Sequence, residues 1–198
     1  MKLTTTILAL SVLAAPATAQ APVWSDDFND GVVDPMWSVA FDPLVFWNNG
    51  EFAGTYNFAL GASPFGTFMS EYSLTSAVPS QAGALTFKSS LDWMENTTDS
   101  TLDVRFDLLD GAGNIVARIQ LADVVQAISV GGDMVFEAGG QSGSVPIPVT
   151  SGADVEISRD AAGLWSWSMS GAAGSGSGTL GVDLTSVEQV KMAVFAIN

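Results

Sequence analysis

Along most of this chain apolar and polar residues alternate with a period of two. Leu102, Val104, Phe106 and Leu108 interleave with Asp103, Arg105 and Asp107. On an extended backbone this sends one set of side chains to a core and the other to water. Asp110-Gly-Ala-Gly-Asn114 concentrates residues that tolerate positive φ and bond their own backbone, so the chain reverses and Ile115 to Leu121 returns as a hairpin arm. Similar patterning predicts strands over Val23 to Phe28, Phe41 to Trp47, Thr67 to Thr75, Leu85 to Trp93, Gln126 to Val130 and Met134 to Ala138. Further strands are predicted around Val155 and Ile157, over Trp165 to Met169, and over Val187 to Ile197.

Between these runs, Asn29-Asp-Gly31, Asn48-Asn-Gly50, Gly131-Gly-Asp133 and Arg159-Asp-Ala-Ala-Gly163 read as turns. Val145 to Val149 carries Pro146 and Pro148, which suit only an edge strand or an extended connector. Two stretches lack a period: Glu51 to Gly66, read as a long loop carrying Tyr56, Phe58 and Phe65, and Gly171 to Gly178, read as a flexible connection. Roughly eleven to thirteen short strands with no long amphipathic helix predict an all-β, two-sheet antiparallel β-sandwich. Trp24, Trp37, Trp93, Trp165 and Trp167 are its expected aromatic core.

Residues 1 to 19 change the picture of where the fold begins. Lys2, the apolar run Ile7 to Ala15 and Ala17-Thr-Ala19 form the pattern of a cleaved secretory signal, so the expectation is a secreted or periplasmic single domain over 20–198. The apolar run is too short to span a bilayer and no later stretch is long enough, so membrane insertion is not expected. The chain has no Cys, so burial, with or without a bound ion, must hold it together.

Past Lys2, five basic residues face 21 acidic ones, a formal charge of −16 that repels nucleic acid and attracts cations. Without His or Cys, serine–histidine and cysteine–histidine nucleophile systems are excluded, as are the usual zinc and haem ligand sets. A glycan partner asks for an exposed aromatic ring flanked by amides or carboxylates. Trp47, Asn48, Asn49 and Glu51 with Tyr56 supply those groups and are the candidate ligand-binding residues. Asp103, Arg105 and Asp107 share a face that reads as solvated. Asp92 and Glu95, three apart on a strand, point to opposite faces and make a poor catalytic pair.

Val23-Trp-Ser-Asp-Asp-Phe-Asn-Asp-Gly31, followed by Asp34-Pro35 and Trp37, resembles the first strand of laminarinase-like members of the concanavalin A-like lectin/glucanase superfamily. Glu188-Gln-Val-Lys-Met-Ala193 is similar to their last strand, and Asp154 to Met169 looks like the penultimate hairpin of laminin G-like domains. The resemblance implies a jelly roll that meets carbohydrate. It also implies one structural calcium ion, with Glu188 as the transferable ligand and Asp27 or Asp30 contributing. The catalytic Glu-x-Asp signature of the hydrolases is absent, since no Glu has an Asp two positions later. The expectation is therefore a non-catalytic carbohydrate-binding or matrix protein. The alternatives are a self-assembling extracellular protein that pairs through edge strands, or a polysaccharide hydrolase or lyase with atypical carboxylates. If calcium ties the first strand to the last, added calcium raises the thermal midpoint and EDTA lowers it; identical midpoints in a melting experiment discard the ion.

Overall fold

The computed structural model describes residues 5–8, 24–26, 34–41, 47–51, 56–60, 69–91, 101–125, 132–147, 153–171 and 174–197. Among these there is no helix. The strands are β1 (Thr5–Leu8), β2 (Trp37–Phe41), β3 (Trp47–Glu51), β4 (Tyr56–Leu60), β5 (Met69–Gln81), β6 (Leu85–Leu91) and β7 (Thr101–Leu109). They continue with β8 (Ile115–Val125), β9 (Gly132–Ala138), β10 (Gln141–Ile147), β11 (Ala153–Arg159), β12 (Leu164–Gly171), β13 (Gly174–Val182) and β14 (Val187–Ile197). All pairings are antiparallel. One sheet has the order β10-β9-β8-β7-β14-β5-β2, a second β1-β6-β11-β12-β13, and β3 pairs with β4 in a separate hairpin. β1 falls inside the stretch expected to be cleaved as a signal; without it the second sheet has four strands, β6 to β13.

The two large sheets face one another across a single core. Phe87 of β6 meets Phe106 of β7 with ring centroids 5.9 Å apart, and Trp167 of β12 stacks on Phe136 of β9 at 4.4 Å. Alternation is what fills this core: Val104, Phe106 and Leu108 from β7, Val155 and Ile157 from β11, and Trp165, Trp167 and Met169 from β12 are all buried. Trp24 and Trp37 close one margin in an edge-to-face pair at 5.3 Å. Their indole N–H groups donate to Ser76 Oγ at 3.0 Å and Asp26 Oδ2 at 2.6 Å.

Several expectations need correction. Of the stretch Gly171 to Gly178, expected as a flexible connection, Gly171 ends β12 and residues 174–178 begin β13. The reason is Trp167, whose indole lies over this strand: a Cβ at Gly178 would come within 2.8 Å of Trp167 Nε1, and one at Gly176 within 3.2 Å of its six-membered ring. Glycine therefore occupies the inner positions and serine the outer ones. Asn48-Asn49-Gly50 lies within β3 and not in a turn, and Tyr56–Leu60 is a strand and not part of a loop. Asp133, expected in a turn, belongs to β9, and β9 and edge strand β10 are joined by Gly139-Gly140, both at positive φ. The predicted strand at Gln126 to Val130 lies outside the described residues.

The two hairpin turns at 110–114 and 160–164 are built alike. Asp110 Oδ1 accepts from the N–H groups of Ala112 and Asn114 at 2.9 and 2.8 Å, and Asp160 Oδ1 from those of Ala162 and Leu164 at 2.8 and 2.9 Å. A glycine at positive φ follows in each, Gly113 at 84° and Gly163 at 87°, a conformation in which a Cβ would be strained. Bonds from the Asn114 side chain and backbone hold the Asp110 carboxyl below the usual carboxylate range.

Arg159 ends β11 and is only 2 % exposed. It forms no ion pair within 4.0 Å among the described residues. Its Nε donates to the Gly83 carbonyl at 3.0 Å and Nη2 to that of Gln81 at 2.7 Å; Nη1 donates to Thr185 O at 2.6 Å and to Asp183 O at 3.3 Å. Those carbonyls belong to two of the connections that change sheets, β5 to β6 and β13 to β14. The guanidinium also lies 5.1 Å from the Trp165 ring centroid. Burial lowers its pKa and the charge of Asp183 opposes this, but a guanidinium stays protonated. Arg159→Ala strands several of these carbonyls, each worth about 1–3 kcal/mol if left unsatisfied and less where water enters. The expected loss of stability in urea unfolding is about 3–5 kcal/mol. Arg159→Lys restores only part, because an ammonium cannot span the fork.

Candidate binding faces

The outer faces of the two sheets differ in chemistry. On the seven-stranded sheet, charges of opposite sign alternate across neighbouring strands: Glu137, Arg118, Asp107 and Lys191 lie directly opposite one another in register. Arg118 holds Asp107 with both prongs of its guanidinium, Nε to Oδ1 at 2.6 Å and Nη2 to Oδ2 at 3.0 Å. That bidentate bond, helped by the charges of Asp107, Glu137 and Asp103, raises the Arg118 pKa against its desolvation. Lys191 reaches Glu71 at 2.6 Å. Arg105 donates to Asp103 at 3.0 Å and covers the Phe195 ring at 4.1 Å, and Gln120 also donates to Asp103, at 3.1 Å.

This corrects the expectation of a solvated face, for Asp107 is only 5 % exposed. Asp103 and Asp107 are four residues apart on an extended strand, about 13 Å along its axis. Glycoside hydrolysis needs a carboxyl separation of about 5 to 9.5 Å. Each of these carboxylates is also tied to a guanidinium.

The outer face of β6, β11, β12 and β13 is a grid. Register places Ser90, Asp154, Ser170 and Ser175 in one row, Lys88, Glu156, Ser168 and Ser177 in the next, and Thr86, Ser158, Ser166 and Thr179 in the third. Nine of these twelve positions carry a hydroxyl and none is apolar. Rows of this kind repeat about every 6.7 Å along a strand and about every 4.8 Å across strands. Ser90 donates to Asp154, Ser158 and Ser166 share a hydrogen bond at 3.0 Å, and Lys88 pairs with Glu156 at 2.9 Å. A cavity of about 380 Å³ opens on this face, lined by Lys88, Ser90, Asp154, Glu156, Ser168 and Ser170 among others. The signal was present in the sequence as Ser166-x-Ser168-x-Ser170 and Ser175-x-Ser177-x-Thr179. What hid it was reading the second run as a linker.

The predicted glycan residues fall on the separate hairpin: Glu51 stands opposite Tyr56 and Trp47 opposite position 60, with Asn48 and Asn49 between. The backbone thus brings Glu51 and Tyr56 together, and β4 runs near β1 on the β6 side of the second sheet. Of the predicted calcium ligands, Asp27 and Asp30 lie outside the described residues, as do Asp92 and Glu95. Glu188 accepts from Ser80 Oγ at 3.3 Å, and its carboxylate lies over Gly111, where a Cβ would come within 2.5 Å of Oε2. Among the described residues no group of three or more acidic ligands converges.

No family model matches this chain, and no curated protein matches it either. Asp107→Asn leaves Arg118 charged and half-enclosed with a neutral partner. The expected loss in urea unfolding is about 3 kcal/mol, and Asp107→Leu combined with Arg118→Met recovers most of it.

Proposed function

We propose that this protein is an exported, non-catalytic β-sandwich of the concanavalin A-like jelly-roll type that binds carbohydrate through the hydroxyl grid of β6, β11, β12 and β13. The observation that carries the reading is the regular array of serine and threonine hydroxyls, of which Ser90, Ser168 and Ser170 line one cavity with Asp154, Glu156 and Lys88. Such a surface offers donors and acceptors at fixed spacing, which suits the repeated hydroxyls of a polysaccharide. The acidic excess favours neutral or amino sugars over uronates and sulfated chains. The hairpin bearing Trp47, Asn48, Asn49, Glu51 and Tyr56 is the candidate aromatic component of the same reading. A calcium ion at Glu188 belongs to the same reading as a structural element.

The self-assembling alternative draws on the sheet edges. β2 exposes Val39 and Phe41, whereas Pro146 interrupts the hydrogen-bonding edge of β10. In a pull-down with cellulose, chitin, starch and a β-1,3-glucan, at least one is retained. Ser168→Ala combined with Ser170→Ala and Asp154→Ala weakens retention tenfold or more without moving the thermal midpoint. Equal retention of this variant, or no retention on any glycan, removes the carbohydrate reading, and a concentration-dependent mass in light scattering would then favour assembly.

A further inference from the structure

One end of the sandwich gathers the turns at 110–114, 139–140 and 160–163 and the crossing at 183–186. Four of the large apolar side chains that the described residues expose lie here: Ile115, Leu164, Val182 and Leu184, at 38 to 64 % exposure. Val182 pairs with Leu164, Leu184 packs against Gly163, and Ile115 lines a cavity of about 410 Å³ together with Asp183, Glu137 and the Gly139-Gly140 turn. Asp110 and Asp160 sit in the adjoining turns. The end is therefore an apolar surface with Glu137 and Asp183 at its cavity and Asp110 and Asp160 in the adjoining turns.

The cations that could answer those carboxylates are already engaged. Past Lys2 the chain has five basic residues. Lys88, Arg105, Arg118 and Lys191 are each in an ion pair on an outer sheet face, and Arg159 is sealed beneath the crossings on backbone carbonyls. A second copy of this chain consequently brings no uncommitted cation from these five to the site. We propose that this end is a docking surface for a cationic, apolar peptide segment of another protein, its leucine- or valine-type side chains on Ile115, Val182 and Leu184 and its lysine or arginine groups against Glu137 and Asp183. Charge complementarity selects the occupant, and desolvation of the apolar centre within a charged rim supplies the affinity. The site is separate from the hydroxyl grid and does not depend on the carbohydrate reading.

The test is an amide-shift titration of the full chain with a blocked hexapeptide of alternating leucine and lysine. Saturable shifts confined to residues 110–115, 137–142, 160–164 and 182–185 are expected. Glu137→Gln with Asp183→Asn weakens binding tenfold or more, and Ile115→Ser with Val182→Ser weakens it at least fivefold. Asp133→Asn, a carboxylate lost from the far end of β9, leaves it unchanged. Both double variants are checked for an unaltered spectrum, and a leucine–serine peptide is the neutral control. Shifts spread over the whole surface, equal weakening by Asp133→Asn, indifference to the serine substitutions, or equal binding of the leucine–serine peptide would each overturn the proposal.

Discussion

The buried guanidinium of Arg159 is the constraint on which the relation between the sheets depends. A charge removed from water must be compensated by its surroundings, and here that compensation comes chiefly from carbonyl oxygens of Gln81, Gly83, Asp183 and Thr185. Two of these belong to the segment by which β5 leaves one sheet for the other, and two to the segment by which β13 returns. One side chain thereby joins two crossings about 100 residues apart. In a chain without cysteine, this planar fork fixes the distance between crossings that a disulfide could otherwise set. Trp165 beneath the guanidinium connects it to the aromatic core.

The same economy of positive charge shapes the rest of the surface. Four other cations are spent on local pairs, two of them in the ladder where Arg118 grips Asp107 and Lys191 reaches Glu71. Past Lys2, five basic residues stand against 21 acidic ones, so acid is in large excess. The two outer faces diverge accordingly. One carries cations and carboxylates paired with each other, and the other a hydroxyl lattice whose side chains are mostly exposed or half-buried. The proposed carbohydrate recognition draws on the second face, and the proposed peptide docking on the end around Ile115 and Asp183.

Much of the architecture was legible from alternation alone. The β7–β8 hairpin, the burial of Phe87, Val155, Trp165, Trp167 and Met169, and the turn at Asp160 follow from a period of two interrupted by turn residues. Alternation failed where a residue's reason for being there lay on another strand. Gly176 and Gly178 look like linker residues until Trp167 is seen above them; Asn48-Asn49-Gly50 has turn composition but pairs with β4. The same limit applied to the candidate sites: Asp103, Arg105 and Asp107 were visibly on one face, but nothing local to β7 announced Arg118 eleven residues beyond Asp107 as its partner.

The sequence by itself determined the class of structure, all-β with antiparallel pairing, because the side-chain period of a strand is a property of its own backbone. It also determined what chemistry is missing, since composition decides which nucleophiles and ligands exist. Only the tertiary structure decided which outward residues meet, and so which face is a charge lattice and which a hydroxyl grid. Register between strands is set by the packing of the opposite, inward faces. It was likewise the tertiary structure that made Arg159, in sequence the first residue of a turn, the buried tie between crossings, because its partners are backbone oxygens that no residue pattern encodes.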